Sequence, residues 1–400
     1  MAANPATATK LMEDVWEVAV VKARRDIAEM AKIAAKDGLK EGEMEAWDHR
    51  YYAEKLRKSE FDLDDGEVKP YLQLDKMIEG MMWCAEQLHG LSLEAVPVGE
   101  VSVWHPEVRV FHVLRQADKS HVGLFYLDPY AREGKRSGAW MCDHRPQEAF
   151  KGVIAPIISN NSNFMKPSVA GEPNLITWDD ATTLFHEFGH GLHGLLSKVN
   201  YPTLAGTSVR RDFVELPSQL NEHWLFAPEL LAKYALHYKT GEPMPQALLD
   251  KIMAAKNADQ GFSTVEYLAS ALYDMAVHTA PSALEAADPS FEAQQMAKLG
   301  IPKEIVMRHR PTHFQHVYCT EGYASAYYSY LWADALTADA AEAFTEKGSM
   351  FDTETATKLR ECILQVGNSV DPAVAYRNFR GRDADPQAVM RKRGFAPAKH

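Results

Sequence analysis

Residues 177–197, TWDDATTLFHEFGHGLHGLLS, constrain this chain more than any other stretch. Thr177 with Asp180 three residues on has the form of a capping box, and Asp179 and Asp180 suit the positive end of a helix dipole, so a helix is predicted to begin here. Leu184, Phe188, Leu192, Leu195 and Leu196 recur at steps of three and four, the period of one apolar helical face. His186 and His190 stand four apart and project from one face a turn from each other, a spacing that lets two neutral imidazole nitrogens reach one zinc ion. Glu187 is offset by one position, near enough to hold the metal's water as a general base but outside the ligand pair.

H-E-x-x-H fixes only three positions, so a third ligand is needed before the pattern means a metal site. Glu215 stands 29 residues after His186 in DFVELPSQLNEHW, the start of another helical run with Asp212 as a candidate N-cap. A helix, a turn and a return helix would bring its carboxylate to the two imidazoles, giving His, His and Glu with one position open for water. A third histidine six residues after the second is the alternative, and it fails because position 196 is leucine. His193 shares the face of the pair and is expected to contact a ligand residue or the substrate. Pro217 is tolerable only near the beginning of its helix.

Four hundred residues, 46% hydrophobic, suffice for one large or two smaller domains. A net charge of −12 argues against nucleic acid as a partner. Cys84, Cys142, Cys319 and Cys362 are scattered without a C-x-x-C pair, which points to neither a disulfide framework nor a thiolate zinc site and fits a reducing cytoplasm. The sequence starts without a signal-peptide pattern and contains no eighteen-residue apolar run, so a soluble, non-membrane chain is expected.

Residues 11–91 read as three amphipathic helices, running through 35, over 43–58 and over 68–88. Strands follow at 108–114 and 121–128, a hairpin around RQADKS, with a third at 151–158 and SNNSNF after it as loop. That third strand is the candidate free edge, able to pair with a peptide backbone. Arg132, Lys135 and Arg136 read as a solvated loop. Further helices are expected at about 213–238, 245–258, 262–280 and 288–298, and the arginines of the C-terminal basic stretch are expected at the surface. The predicted fold class is mainly α with a small β-sheet, a helical segment 1–98 leading into a catalytic region 99–400.

A second constellation fills residues 313–332, HFQHVYCTEGYASAYYSYLW, where Tyr318, Tyr323, Tyr327, Tyr328 and Tyr330 crowd around Gly322. Buried phenols need hydrogen-bond partners, and a phenol O–H can stabilise the oxyanion of amide hydrolysis without carrying charge itself. Tyr323 and Tyr330 are read as such donors, Tyr328 as helix packing.

Five stretches carry a family resemblance: FHEFGHGLHGLL (185–196), RDFVELPSQLNEHW (211–224), HVYCTEGYASAYYSYLWAD (316–334), FYLDPYAREGKRSGAW (125–140) and YRNFRGRDADPQAVMRKRGF (376–395). In order and spacing they resemble the thimet-oligopeptidase family of zinc metallopeptidases, and within it the bacterial dipeptidyl carboxypeptidases, then oligopeptidase A. The resemblance implies one Zn2+ per chain where His186, His190 and Glu215 stand, with Glu187 as the base, Tyr330 as the oxyanion donor, and Tyr323 and His316 as substrate contacts. It also implies a neurolysin-like helical ellipsoid cut by a deep channel with a small sheet lining it, admitting short unstructured peptides. Release of C-terminal dipeptides is the first expectation and internal cleavage of oligopeptides the second. Family members carry a further helical N-terminal half, and this chain is expected to begin inside the family pattern. A missing channel wall would expose apolar surface and favour a homodimer, or leave a peptide-binding or assembly subunit inactive alone.

Overall fold

A computed structural model describes residues 1–167, 169 and 171–397. The elements that position the candidate groups are, in chain order, α1 (Pro5–Lys36), α2 (Leu74–His89), β1 (Leu91–Ala95), β2 (Arg109–Arg115), β3 (His121–Tyr130), β4 (Trp140–Arg145), β5 (Ile157–Phe164), α3 (Trp178–Leu195), α4 (Arg211–Glu222), α5 (Gln260–Thr279) and α6 (Ser329–Thr345). The fold is mainly helical with one small mixed sheet, and among the described residues no helix is long and apolar enough to cross a membrane. The chain divides into two compact units. One comprises Met1–Asp64, Gln246–Ala335 and Pro386–His400; the other comprises Asp65–Pro245 and Leu336–Asp385. Helix gives way to strand at Gly90, earlier than expected, and residues 98–101 form a turn after β1 inside the second unit.

In the first unit α1 starts earlier than its apolar pattern indicates, because the Asn4 side chain accepts the Thr7 amide and Pro5 occupies the first turn. Ala8, Met12, Val15, Trp16, Ala19 and Ala23 form its buried stripe. That stripe faces α5 at close range: a Cβ on Gly261 would lie 2.5 Å from the Ala23 amide nitrogen, so only glycine fits the crossing. Trp16 Nε1 donates to the Leu299 carbonyl (3.1 Å). The C-terminal basic stretch docks through charge, Lys392 and Arg393 pairing with buried Asp334.

The second unit holds the sheet, in the order β1-β2-β3-β5-β4. β1, β2 and β3 are antiparallel neighbours, β5 joins β3 in parallel, and β4 closes antiparallel on β5. The strand expected over 151–158 is displaced: β5 begins at Ile157 and takes in the Ser-Asn run that read as loop. It is central rather than an edge, and β1 and β4 are the edges. Ser and Asn have low strand preference, but Ser159, Asn160, Asn161 and Ser162 are buried between two partner strands. Some find side-chain partners there: Asn161 Nδ2 donates to the Trp140 carbonyl and to Ser159 Oγ, which also meets His144 Nε2 at 2.9 Å. α3 lies across this sheet, with Phe188 edge-on to Phe125 of β3 at 5.2 Å. Phe125, Phe185, Phe188, Phe213 and Leu216 are all fully buried.

The loop at 132–136 is solvated at Arg136 but not at Arg132 and Lys135. Arg132 grips Asp128 with both terminal nitrogens (2.6 and 2.7 Å), Lys135 Nζ reaches the same carboxylate at 3.0 Å and Trp104 Nε1 at 2.9 Å. Arg136 lies over the Trp140 ring. Asp128 was hidden in an apolar strand and gave no sign of needing partners. At the C-terminus the expected surface position fails for Arg380 in the same way, since it pairs with buried Asp339 beside Tyr376 and Arg382.

Candidate metal centre

The start of α3 is fixed by reciprocal hydrogen bonds: Thr177 Oγ1 accepts the Asp180 amide (3.1 Å) and Asp180 Oδ2 accepts the Thr177 amide (3.0 Å). Two turns further on, His186 and His190 sit with ring centroids 5.0 Å apart. α4 crosses α3 at Gly189, where a Cβ would come within 2.6 Å of the Pro217 carbonyl oxygen and of Ser218 Cα. Asn221 Nδ2 locks the crossing by donating to the Phe185 carbonyl (2.6 Å). Pro217 stands in the interior of α4, contrary to expectation. It cannot donate to the Phe213 carbonyl, and burial against Gly189 holds the helix in spite of that loss.

This crossing carries Glu215 to the histidines. Its Oε2 lies 3.2 Å from His186 Nε2 and 3.1 Å from His190 Nε2, and these three atoms form a group able to hold a metal ion. Bonds of about 2.0–2.1 Å in tetrahedral array would separate ligand atoms by about 3.3 Å, so the spacing fits a zinc-sized cation. The chemistry fits as well. His186 Nδ1 meets Glu222 Oε1 at 2.7 Å, which turns the other ring nitrogen toward Glu215. Burial opposes charge on His186, yet the facing carboxylates of Glu215 and Glu222 more than offset it and raise its pKa well above the ordinary value. A field that draws a proton so strongly suits a divalent cation. Ser218 Oγ donates to Glu215 Oε2 (2.9 Å) and helps fix the carboxylate.

Glu187 is buried, its Oε2 has no hydrogen-bond partner among the described residues, and burial raises its pKa against the pull of His186 and His190. A carboxylate whose pKa is raised by burial holds a proton more readily than an exposed one, as a general base requires. His193 does not play the part expected of it. It is wholly buried, both ring nitrogens lack hydrogen-bond partners among the described residues, and burial pushes its pKa down to about 3. Glu222 was missed from the sequence, although it stands two helical turns after Glu215 on the same face, a spacing that could have flagged it.

In the first unit the tyrosine segment brings three other predicted residues together. Tyr330 Oη lies 3.3 Å from His316 Nε2 and 3.3 Å from Tyr323 Oη, and the His316 and Tyr323 ring centroids are 4.4 Å apart. Tyr328 packs edge-on against Trp332.

An H-E-x-x-H helix with a distant carboxylate as third donor is the arrangement of a metallopeptidase-type centre. The chain belongs to Peptidase family M3, whose pattern it matches over residues 1–395. It is 38% identical over 99% of its length to a dipeptidyl carboxypeptidase of Escherichia coli, of which it covers 57%. It is 37% identical, again over 99% of its length, to oligopeptidase A of Salmonella typhimurium, of which it covers 58%. A thimet-like oligopeptidase of Dictyostelium discoideum is 31% identical over 88% of the chain and 52% of that protein. The chain thus spans a little over half the length of the curated relatives it matches.

Proposed function

We propose that this chain is a zinc-dependent peptidase that hydrolyses short unstructured peptides, releasing C-terminal dipeptides. The observation that carries the reading is the convergence of His186 Nε2, His190 Nε2 and Glu215 Oε2 beside a buried carboxylate at Glu187. Two imidazoles and one carboxylate suit Zn2+, and His186, His190 and Glu215 would hold one ion per chain. Such an ion, when bound, polarises a carbonyl and makes its water acidic. Glu187 takes the proton released by the attacking water and passes it to the departing amine. The Tyr330 phenol donates to the oxyanion, and Tyr323 and His316 contact the substrate. The family resemblance supports these roles and a helical channel enclosing the peptide. The name of the Escherichia coli relative favours dipeptide release over the internal cutting suggested by the name oligopeptidase A. A net charge of −12 speaks against nucleic acid; cytoplasmic residence and a homodimer complete the proposal.

The test is mass spectrometry of products from oligopeptides with free and amidated C-termini, with and without chelator. Loss of C-terminal dipeptides from free peptides only, abolished by chelator, is the expected result. Products from interior bonds of both sets would replace dipeptide release with internal cleavage. A metal-loaded chain that binds peptides and cuts none would make it a peptide-binding subunit. Glu187→Gln should keep the metal and lose cleavage, and parental turnover would remove Glu187 from the mechanism.

A further inference from the structure

One face of α5 carries polar side chains from a half-buried end through the core to an exposed end. Phe262, Val265, Leu268, Ala271, Leu272 and Met275 bury an apolar face of the helix, yet Tyr267, Ser270, Asp274 and His278 recur at steps of three and four. Ser270 and Asp274 are almost wholly buried. Burying a carboxylate is costly unless donors converge on it, so its partners reveal what it does.

Those partners all belong to the tyrosine segment or to this stripe. Asp274 Oδ1 accepts the Ser325 amide and Oδ2 the Tyr327 amide, each at 3.0 Å. Tyr267 Oη donates to the Tyr327 carbonyl (2.7 Å) and accepts the Leu331 amide (3.1 Å), spanning the entry into α6 where Tyr330 stands. Ser270 Oγ meets His309 Nδ1 at 3.3 Å, and the His309 ring stacks on Phe314 at 3.9 Å. His278 pairs with Asp274 Oδ1 at 2.8 Å and lies parallel to the Tyr318 ring. Most of these bonds go to backbone groups, so they set the path of the segment whatever side chains it bears. Ser325 is held at φ +57°, in the left-handed region that residues with a Cβ avoid, between the two amides that Asp274 binds.

We infer that the polar stripe of α5 is the positioning device of the tyrosine segment, and that Asp274, with Tyr267, sets where the Tyr330, Tyr323 and His316 side chains point. The inference rests on the peptidase reading for its catalytic consequence and on geometry alone for the clamp. Asp274 and Tyr267 are positioning residues: they act through the hydroxyl of Tyr330, which with Tyr323 and His316 forms a chain of two 3.3 Å contacts. A displacement of about 1 Å in such a group is enough to cost on the order of a hundredfold in rate.

The test uses Asp274→Asn, nearly isosteric but offering one acceptor oxygen where two amides need one each, and Tyr267→Phe, which removes a single hydroxyl. Amide hydrogen exchange should quicken about tenfold or more at Ser325 and Tyr327 in the first variant and at Leu331 in the second. kcat/KM on peptide should fall about tenfold or more in Asp274→Asn, and the same change made on Tyr330→Phe should add less than about twofold, because both act through one hydroxyl. Unchanged exchange in both variants overturns the clamp. Losses from Asp274→Asn and Tyr330→Phe that multiply overturn the positioning role in favour of general support of the fold. Parental turnover in Tyr330→Phe overturns the catalytic reading beneath the inference, while the exchange result still stands or falls separately.

Discussion

Gly189→Ala would test whether the crossing of α3 and α4 sets the metal centre. The added Cβ would lie 2.6 Å from Ser218 Cα and from the Pro217 carbonyl oxygen, and 2.9 Å from Asn221 Cβ. Carbon atoms rest no closer than about 3.5 Å, so the helices must part by about 0.9 Å. Pro217 and Ser218 follow Glu215 by two and three residues in the same helix, so the segment pushed away carries the carboxylate with it. Ligand distances in a metal site hold to about 0.2 Å, several times less than this displacement. Overpacking of this kind costs about 1–3 kcal/mol, and the metal should bind about 10–100-fold more weakly, the range found when the support of a ligand is disturbed. Thermal unfolding in excess chelator isolates the packing cost, and competition against a chromogenic chelator reads the affinity. A variant that melts as the parent does in chelator refutes the steric argument. One that melts lower but binds metal as tightly refutes the claim that this crossing positions Glu215.

Other perturbations address the surroundings of the site. Glu222→Gln removes the charged partner of His186 Nδ1 and should weaken metal binding about 10–100-fold; isothermal titration giving the parental affinity would reduce Glu222 to a surface group. Tyr330→Phe should lower turnover by about 10²–10³ if its phenol stabilises the oxyanion, read by steady-state cleavage of a quenched peptide. Burial alone would raise the Asp128 carboxyl, but Arg132, Trp104 and Lys135 together hold it at about 2. Since this folded value lies below the unfolded one of about 3.9, the stabilisation of about 2 kcal/mol is complete above pH 4 and is lost as pH falls toward 2. The stability difference between parent and Asp128→Asn, measured by denaturant titration, should therefore narrow over that interval; a difference constant from pH 6 to pH 2 would contradict the assignment.

The convergence of His186, His190 and Glu215 was legible because local rules and the chemical pattern coincide there. Thr177 and Asp180 cap the helix whose face His186 and His190 share, and Glu215 lies on the next strongly amphipathic helix. Features that depend on partners distant in sequence were not legible. The Ser159–Ser162 run becomes a central strand because neighbours on both sides complete its backbone hydrogen bonds, which outweighs its poor intrinsic preference. Arg132 and Lys135 read as solvated because the carboxylate that buries them sits in an apolar strand. His193 has the spacing of a site residue, but it lies in the last turn of α3 and is wholly buried there. Glu222 carried a periodic signal that went unused, whereas nothing local marks Asp274 as a clamp, since its acceptors serve amides more than fifty residues later.

The first unit is assembled from three separated pieces of chain, and α1 meets α5 at Ala23 and Gly261. At a synthesis rate of about 5–20 residues per second, the apolar stripe of α1 waits on the order of ten to fifty seconds for its native cover to leave the ribosome. Throughout that wait it offers newly made neighbours a sticky surface, so yield should depend on holdase chaperones and on translation speed. For the same reason no single cut in the chain between residues 65 and 245 can release that unit as one intact fragment.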